Sequence, residues 1–387
     1  MFGRRLPKAR LNRKYPMTSS LLHHKEVSRS SPRLKTAEEA TFTICKNCLA
    51  LTISLLVLTG SLRAEFVYVT NAKSNNISAY QIGEKGGLTP VAGSPFPAGD
   101  SPGSLAVDSL SRSVYVATGS NSVSAYHFSK DGVLTPVAGS PFPVGNNPGF
   151  VFVDLVGRLV YVTSDNKFSA YHIREDGALT PAAESPFPSG RSAVDLLGRF
   201  VYVANGGSNT VSGYRIDKNG ALTPVAGSPF PTGNFCNSVA VDALGGFLYA
   251  ANINSNNISA YKIGENGTLT PVAGSPFAAG ILCESVAVAP LGRYVYAANE
   301  DFGGISAFRI GESGALSSLG AFFSGGTFPV SVVEDLLGRF VFVTNSGFHS
   351  IGANVSAFSV GKDGALTPVT GSPILVGSFP VSVAVSP

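Results

Sequence analysis

One pattern constrains this chain more than any other. It is an apolar run, a polar Asn-rich gap and a second, alternating run, first met as FVYVTNAKSNNISAY from Phe66 to Tyr80. Variants recur to the C-terminus, among them VYVTSDNKFSAY, VYVANGGSNTVSGY and LYAANINSNNISAY. Their anchor aromatics are Tyr68, Tyr115, Tyr161, Tyr202, Tyr249, Tyr296 and Phe342, about 47 residues apart and about 41 between Tyr161 and Tyr202. A fixed period of this size marks a repeat in which each unit buries its apolar faces only against its neighbours.

Each repeat parses into four strands. Strand A is SLAVD at Ser104–Asp108, strand B is the VYVTN motif, strand C is ISAYQI and strand D is LTPVAG. Strands A and B are almost wholly apolar, so both of their faces are expected to be covered. The A-to-B turn reads D-x-L-G-R, and the C-to-D turn carries Asp-Gly or Asn-Gly, dipeptides that favour tight hairpins. Pro90, Pro136, Pro181, Pro224, Pro271 and Pro368 all fall in strand D. Proline cannot donate to a ladder, so D is the outer edge and A is innermost.

Strands B, C and D occur seven times, whereas A occurs six times internally and once more as the terminal VSVAVSP, Val381 to Pro387. The predicted fold is therefore all-β: a seven-bladed β-propeller over 66–387 with four-stranded blades. The C-terminal strand closes the ring by pairing into the first blade.

Residues 1–64 read as a basic leader. They hold 12 Lys/Arg against three acids, which leaves the repeat body with a net charge of −5. An acidic body lacks the basic footprint that nucleic acid requires, so that partner class is excluded. The apolar run 48–58, CLALTISLLVL, followed by small and polar residues to Ala64, has the form of a signal peptide h-region. The expectation is an extracytoplasmic protein, or a membrane-anchored one if the leader is retained. Cys45 and Cys48 have no second ligand pair, so the sequence implies no metal and no cofactor. Cys236 and Cys283 share one repeat slot and are expected either to pair or to be small residues at a tight loop.

Residues that repeat are explained by the scaffold, so candidates for chemistry are the departures from it. Glu284 enters strand A of the sixth repeat, and Glu300 and Asp301 follow its strand B. Together they offer a general base and a second carboxylate, or else solvated loop acids. Arg191 enters strand A of the short fourth repeat, where it is either a carboxylate or phosphate clamp or a surface side chain. Glu334 stands where other repeats have Val107, Val153, Val194, Val241, Val288 and Val385. It is read as an axial acid or as a residue moved by a β-bulge into the next turn. His127 and His172 occupy a solvated scaffold slot, and His349 lies in a unique loop.

VYVTN, with A-Y-x-I-x-x-x-G-x-L-T-P, resembles the YVTN-repeat propellers and the lactonase-type family that includes 6-phosphogluconolactonases and muconate-lactonising cyclases. The resemblance covers essentially all of 66–387 and implies a lactone or sugar-like ligand at the loop-face mouth. Asn299 and Glu300 match the family's Asn-Glu, while Leu282, Cys283, Glu284 and Ser285 replace its Arg-His stretch. The expectation is a monomer that either hydrolyses a lactone, with Glu284, Glu300 or Glu334 activating water, or serves as a non-catalytic scaffold for a ligand or protein. Arg191, Asn299 and Asp301 would contact the ligand.

Overall fold

The β-branched and aromatic runs between Gly/Pro punctuation form short strands that pair consecutively into seven antiparallel sheets. The computed structural model describes residues 65–387 apart from Ser109, 155–158, Asn166, 187–189, 196–197, 243–244, 348–351 and Pro387. The leader, with Cys45 and Cys48, and His349 lie outside the described residues.

The inner strands A are Leu105–Asp108, Phe150–Val153, Ser192–Val194, Cys236–Val241, Cys283–Val288 and Pro329–Glu334 in blades 2 to 7. Blade 1 takes its inner strand from the other end of the chain. Pro380–Ser386 pairs antiparallel with Phe66–Asn71, with Val67 opposite Val385 and Val69 opposite Val383. The C-terminal strand thus closes the ring as the strand count predicts.

Strand B is the core of each blade, and every residue of Phe66–Asn71 is buried. Its central tyrosine reaches into the next blade, where its hydroxyl donates to a turn carbonyl. Tyr68 bonds Gly132 O at 3.2 Å, Tyr202 bonds Gly267 O at 2.8 Å and Tyr296 bonds Gly364 O at 3.1 Å. The repeated aromatic is therefore an inter-blade spacer, which accounts for its fixed period. The Asp of D-x-L-G-R closes the A-to-B turn: Asp195 Oδ1 accepts the amides of Arg199 and Phe200, and Oδ2 accepts Arg199 Nε.

Strand D is shorter than its motif. It spans Leu88–Pro90 in blade 1 and ends at the proline. Five blades then add a two-residue strand against C, such as Phe96–Pro97, whereas blades 3 and 6 carry single eight-residue outer strands, Leu179–Pro186 and Leu316–Phe323.

The inner strands are unequal in length. They have six residues in blades 5, 6 and 7 and seven in blade 1, but four, four and three in blades 2, 3 and 4. The long ones carry a bulge near their first residues, between Cys236 and Ser238, Cys283 and Ser285, and Pro329 and Ser331. Backbone pairing runs on past the short strands of blades 2 and 3, where the Gly119 amide bonds Asp100 O and the Asp165 amide bonds Asn146 O, so the mouth is stepped down only at blade 4, whose entry segment is trimmed.

Candidate functional site

Strand A starts, and the B-to-C loop turns, on the same face, so the residues entering strand A ring the axial mouth. Three of them converge. Arg191, at the foot of the trimmed blade 4, donates from Nη2 to Glu284 Oε1 of blade 6 at 3.2 Å. Its Nη1 reaches Val330 O of blade 7 at 3.3 Å. One side chain therefore crosses the opening between nearly opposite blades. Asn237 of blade 5 completes the group by donating to Glu284 Oε1 at 2.9 Å and to Glu284 O at 3.1 Å.

The pair is only partly shielded, with the Arg191 side chain 30% and the Glu284 side chain 16% exposed. Desolvation lowers the Arg191 pKa and the charge of Glu284 opposes that shift. Guanidinium stays cationic under such shifts, so the mouth presents a fixed cation hydrogen-bonded to Glu284.

Glu300 follows strand B of blade 6 and its amide donates to Leu282 O at 2.9 Å, which brings it to the same rim. Its carboxyl is raised above the ordinary value by desolvation first and by the negative Glu284 second. Asp301 opens the adjacent 3₁₀ turn, Asp301–Gly303.

The other candidates lie elsewhere. Asn299 is buried, and its Nδ2 donates to Ser306 Oγ at 3.0 Å. Asn71, Asn205, Asn252 and Asn345 make the same bond to their own serines. Asn299 is therefore placed as one copy of a repeated lock. Glu334 is the last residue of its strand, paired in register with Val341, and the bulge lies at the other end. It stands about 13 Å along the strand from Val330. Its environment is the packing between blades 6 and 7, and it is 6% exposed with neither oxygen hydrogen-bonded.

Cys236 and Cys283 are free and buried, and burial pushes both thiols up to about 12. His127 bridges Ser113 Oγ at 3.2 Å and Asp176 O at 3.0 Å, a scaffold contact between blades. Among the described residues no group of three or more His, Cys, Asp or Glu is placed to hold a metal ion. A cavity of about 330 Å³ lies at the outer rim between blades 6 and 7, against Phe322, Phe323, Phe358 and Leu366, and its lining holds no ionisable group.

Sequence reasoning missed Asn237, whose signal was an amide in the slot that Glu284 fills one blade later. It also missed a set of apolar rim residues: Phe235, Leu282, Phe328 and Phe379 each precede a long inner strand with φ between +54° and +57°.

A closed ring of seven four-stranded blades defines a seven-bladed β-propeller. The match with known proteins agrees: this chain belongs to the lactonase, seven-bladed β-propeller family, matched over residues 66–186, 182–283 and 278–378. A comparison with curated proteins returned no match. Similar solved structures include a candidate 6-phosphogluconolactonase from Bacteroides fragilis, at 18% identity and TM-score 0.72, covering 85% of this chain and 99% of that one. The periplasmic gluconolactonase PpgL of Pseudomonas aeruginosa is similar at 16% identity and TM-score 0.68, covering 84% and 99%. At these identities the likeness to the two structures is one of fold.

Proposed function

We propose that the mouth binds a small lactone and opens it by hydrolysis. The observation that carries this reading is the Arg191–Glu284–Asn237 cluster with Glu300 beside it. Ring opening needs a base to take a proton from water and a cation near the carbonyl oxygen as that oxygen gains charge. Desolvation makes the Glu300 carboxylate more basic than an ordinary one, so it takes the proton. Water oxygen bonds to the carbonyl carbon, the ring C–O bond breaks, and the alkoxide recovers the proton from Glu300. Glu284 holds Arg191 across the opening, and Arg191 faces the developing oxyanion. Asp301 lies next to this base on the same loop.

Replacing Glu300 by Gln is expected to lower kcat on a glucono-lactone probe by about a hundredfold or more. Glu284→Gln, which frees Arg191, should lower kcat/KM mainly through KM. The parent rate should rise with pH through the elevated pKa of Glu300, a limb that Glu300→Gln lacks. Stopped-flow pH-indicator assays read all three. Hydrolysis no faster than buffer across a lactone panel would leave the mouth as a binding site only, for a small molecule or a protein partner.

The leader, with its basic start and the apolar 48–58, supports export of the propeller out of the cytoplasm. N-terminal sequencing of the exported protein is expected to begin at Glu65; a start at Met1 or Met17 would show a retained leader.

A further inference from the structure

The heads of strand A in blades 5, 6, 7 and 1 carry an apolar rim. Phe235, Leu282, Phe328 and Phe379 stand at equivalent positions at the head of strand A in blades 5, 6, 7 and 1. Phe235 is 43%, Phe379 38% and the adjacent Ile281 52% exposed. All four equivalent residues hold the left-handed conformation, which is a true outlier for bulky side chains. Blades 2 and 3 fill the same position with Ser101 and Asn147, also at positive φ. Asparagine tolerates that conformation well, so the left-handed position itself does not call for large apolar side chains.

The local bonding holds this geometry in place. Asn209 Oδ1 of blade 4 accepts the amide of Phe235 at 2.8 Å, and Asn256 Oδ1 of blade 5 accepts that of Leu282 at 2.8 Å. The carbonyls of Phe235 and Leu282 take the amides of Ile253 and Glu300. With the backbone pinned on both sides, the Phe235 ring lies beside Gly206 of the blade 4 loop and the Phe379 ring under Lys73 Nζ at 5.0 Å, on the loop face. Strain kept by over-determined surroundings, combined with apolar exposure, points to a ligand.

The rim is continuous with the polar cluster. Asn237, Glu284 and Val330 each come two residues after a rim residue and are the residues bulged out of the ladder at the head of the strand. The same three strands thus present both a polar contact and an apolar one. We propose that the ligand is a lactone bearing an alkyl or acyl chain, with its ring at Arg191 and Glu284 and its chain along Phe235, Leu282, Phe328 and Phe379. This rests on the mouth reading given above. A bare sugar ring fits less well, because the rim contains aliphatic Ile281 and Leu282, and neither Tyr nor Trp, the aromatics that pair an apolar face with a polar handle.

The test is calorimetric titration with γ-butyrolactone, γ-octalactone and γ-dodecalactone, together with glucono-δ-lactone. Affinity is expected to rise by about fourfold for every two methylenes, roughly half the transfer energy of a fully buried chain. Phe235→Asn with Phe379→Asn preserves the left-handed backbone and should flatten that dependence, with folding checked by melting. No chain-length dependence in the parent, or a dependence unchanged in the Asn variant, overturns the proposal. If glucono-δ-lactone still binds through Arg191 in that case, the mouth reading survives alone. A chain-length dependence that persists in Arg191→Gln supports the rim while the mouth reading fails. Self-association that is lost in the Asn variant without change in lactone affinity would assign the rim to a second copy and overturn the proposal.

Discussion

Removal of Val381–Pro387 is expected to open the ring and lower the melting temperature by more than about 10 °C. The segment supplies the inner strand of blade 1, paired along Phe66–Asn71. The Ser386 hydroxyl also accepts the Phe66 amide at 3.2 Å, and the Ser382 hydroxyl accepts the Leu105 amide of blade 2 at 3.4 Å. Val383 packs with Val67, Val69, Phe342 and Val355 in the cluster that joins blades 7 and 1. Uncovering Val383 costs about 1.5–3 kcal/mol and the partly buried Val385 adds less, before the lost ladder is counted, a large share of the stability of an ordinary domain. Differential scanning calorimetry checks it; a truncated protein that melts like the parent would refute closure by this strand.

The second large effect concerns Glu334. Five of its valine counterparts, Val107, Val153, Val194, Val241 and Val385, pack into the clusters between adjacent blades, and Val288 does the same between blades 5 and 6. Blade 6 is also the one whose A-to-B turn has Ala289 in place of aspartate. The glycine of the following turn normally looks onto that aspartate, as Gly198 does onto Asp154 and Gly292 onto Asp242. At blade 7 the corresponding Gly338 looks onto Glu334 Oε1 instead. Glu334 therefore sends a carboxylate into the space that Ala289 leaves, without the turn amides that would satisfy it.

Burial, and secondarily the charge of Asp335, raise the Glu334 pKa from 4.5 to about 8. Tyr296 faces it from blade 6, and its own pKa is raised by burial and then by Glu334. Asp335 is held by Arg339 Nε at 2.8 Å, so that cation is already engaged. Below pH 4.5 the carboxyl is protonated both folded and unfolded. Between 4.5 and 8 the unfolded chain ionises while the folded one keeps its proton, so stability falls as pH rises, at about 1.4 kcal/mol per unit. At pH 7 the penalty is about 3 kcal/mol.

Glu334→Val, which restores the repeat, is expected to remove that penalty and raise the melting temperature at pH 7 by roughly 5 °C. Glu334→Gln should flatten the slope between pH 5 and 8 while keeping a buried polar group. Urea titrations at several pH values measure both. A Val variant with the parent's pH dependence would show that Glu334 is not the titrating group.

Much of the fold was legible because its determinants are local. The Asp-Gly turns, the D-x-L-G-R caps and the strand D prolines each act within a few residues and recur with the blade. Glu284 and Arg191 were legible as departures from that rule. Their meeting was not, since they are 93 residues apart with a whole blade between them. Glu334 was visible as an acid in a valine slot, but its direction was not, because one strand has a mouth end and a turn end with the same pattern. Phe235, Leu282, Phe328 and Phe379 read as the start of an apolar strand, and only the structure shows their positive φ and the exposure of Phe235 and Phe379.

The sequence by itself determined the repeat, the number of blades, the order of strands and the closure of the ring, because those follow from periodic burial and short-range turn chemistry. Tertiary structure alone decided what stands at the mouth. Radial stacking brings the first residues of blades 4 to 7 to one axis, lets one arginine span the opening, and sets an apolar rim beside it.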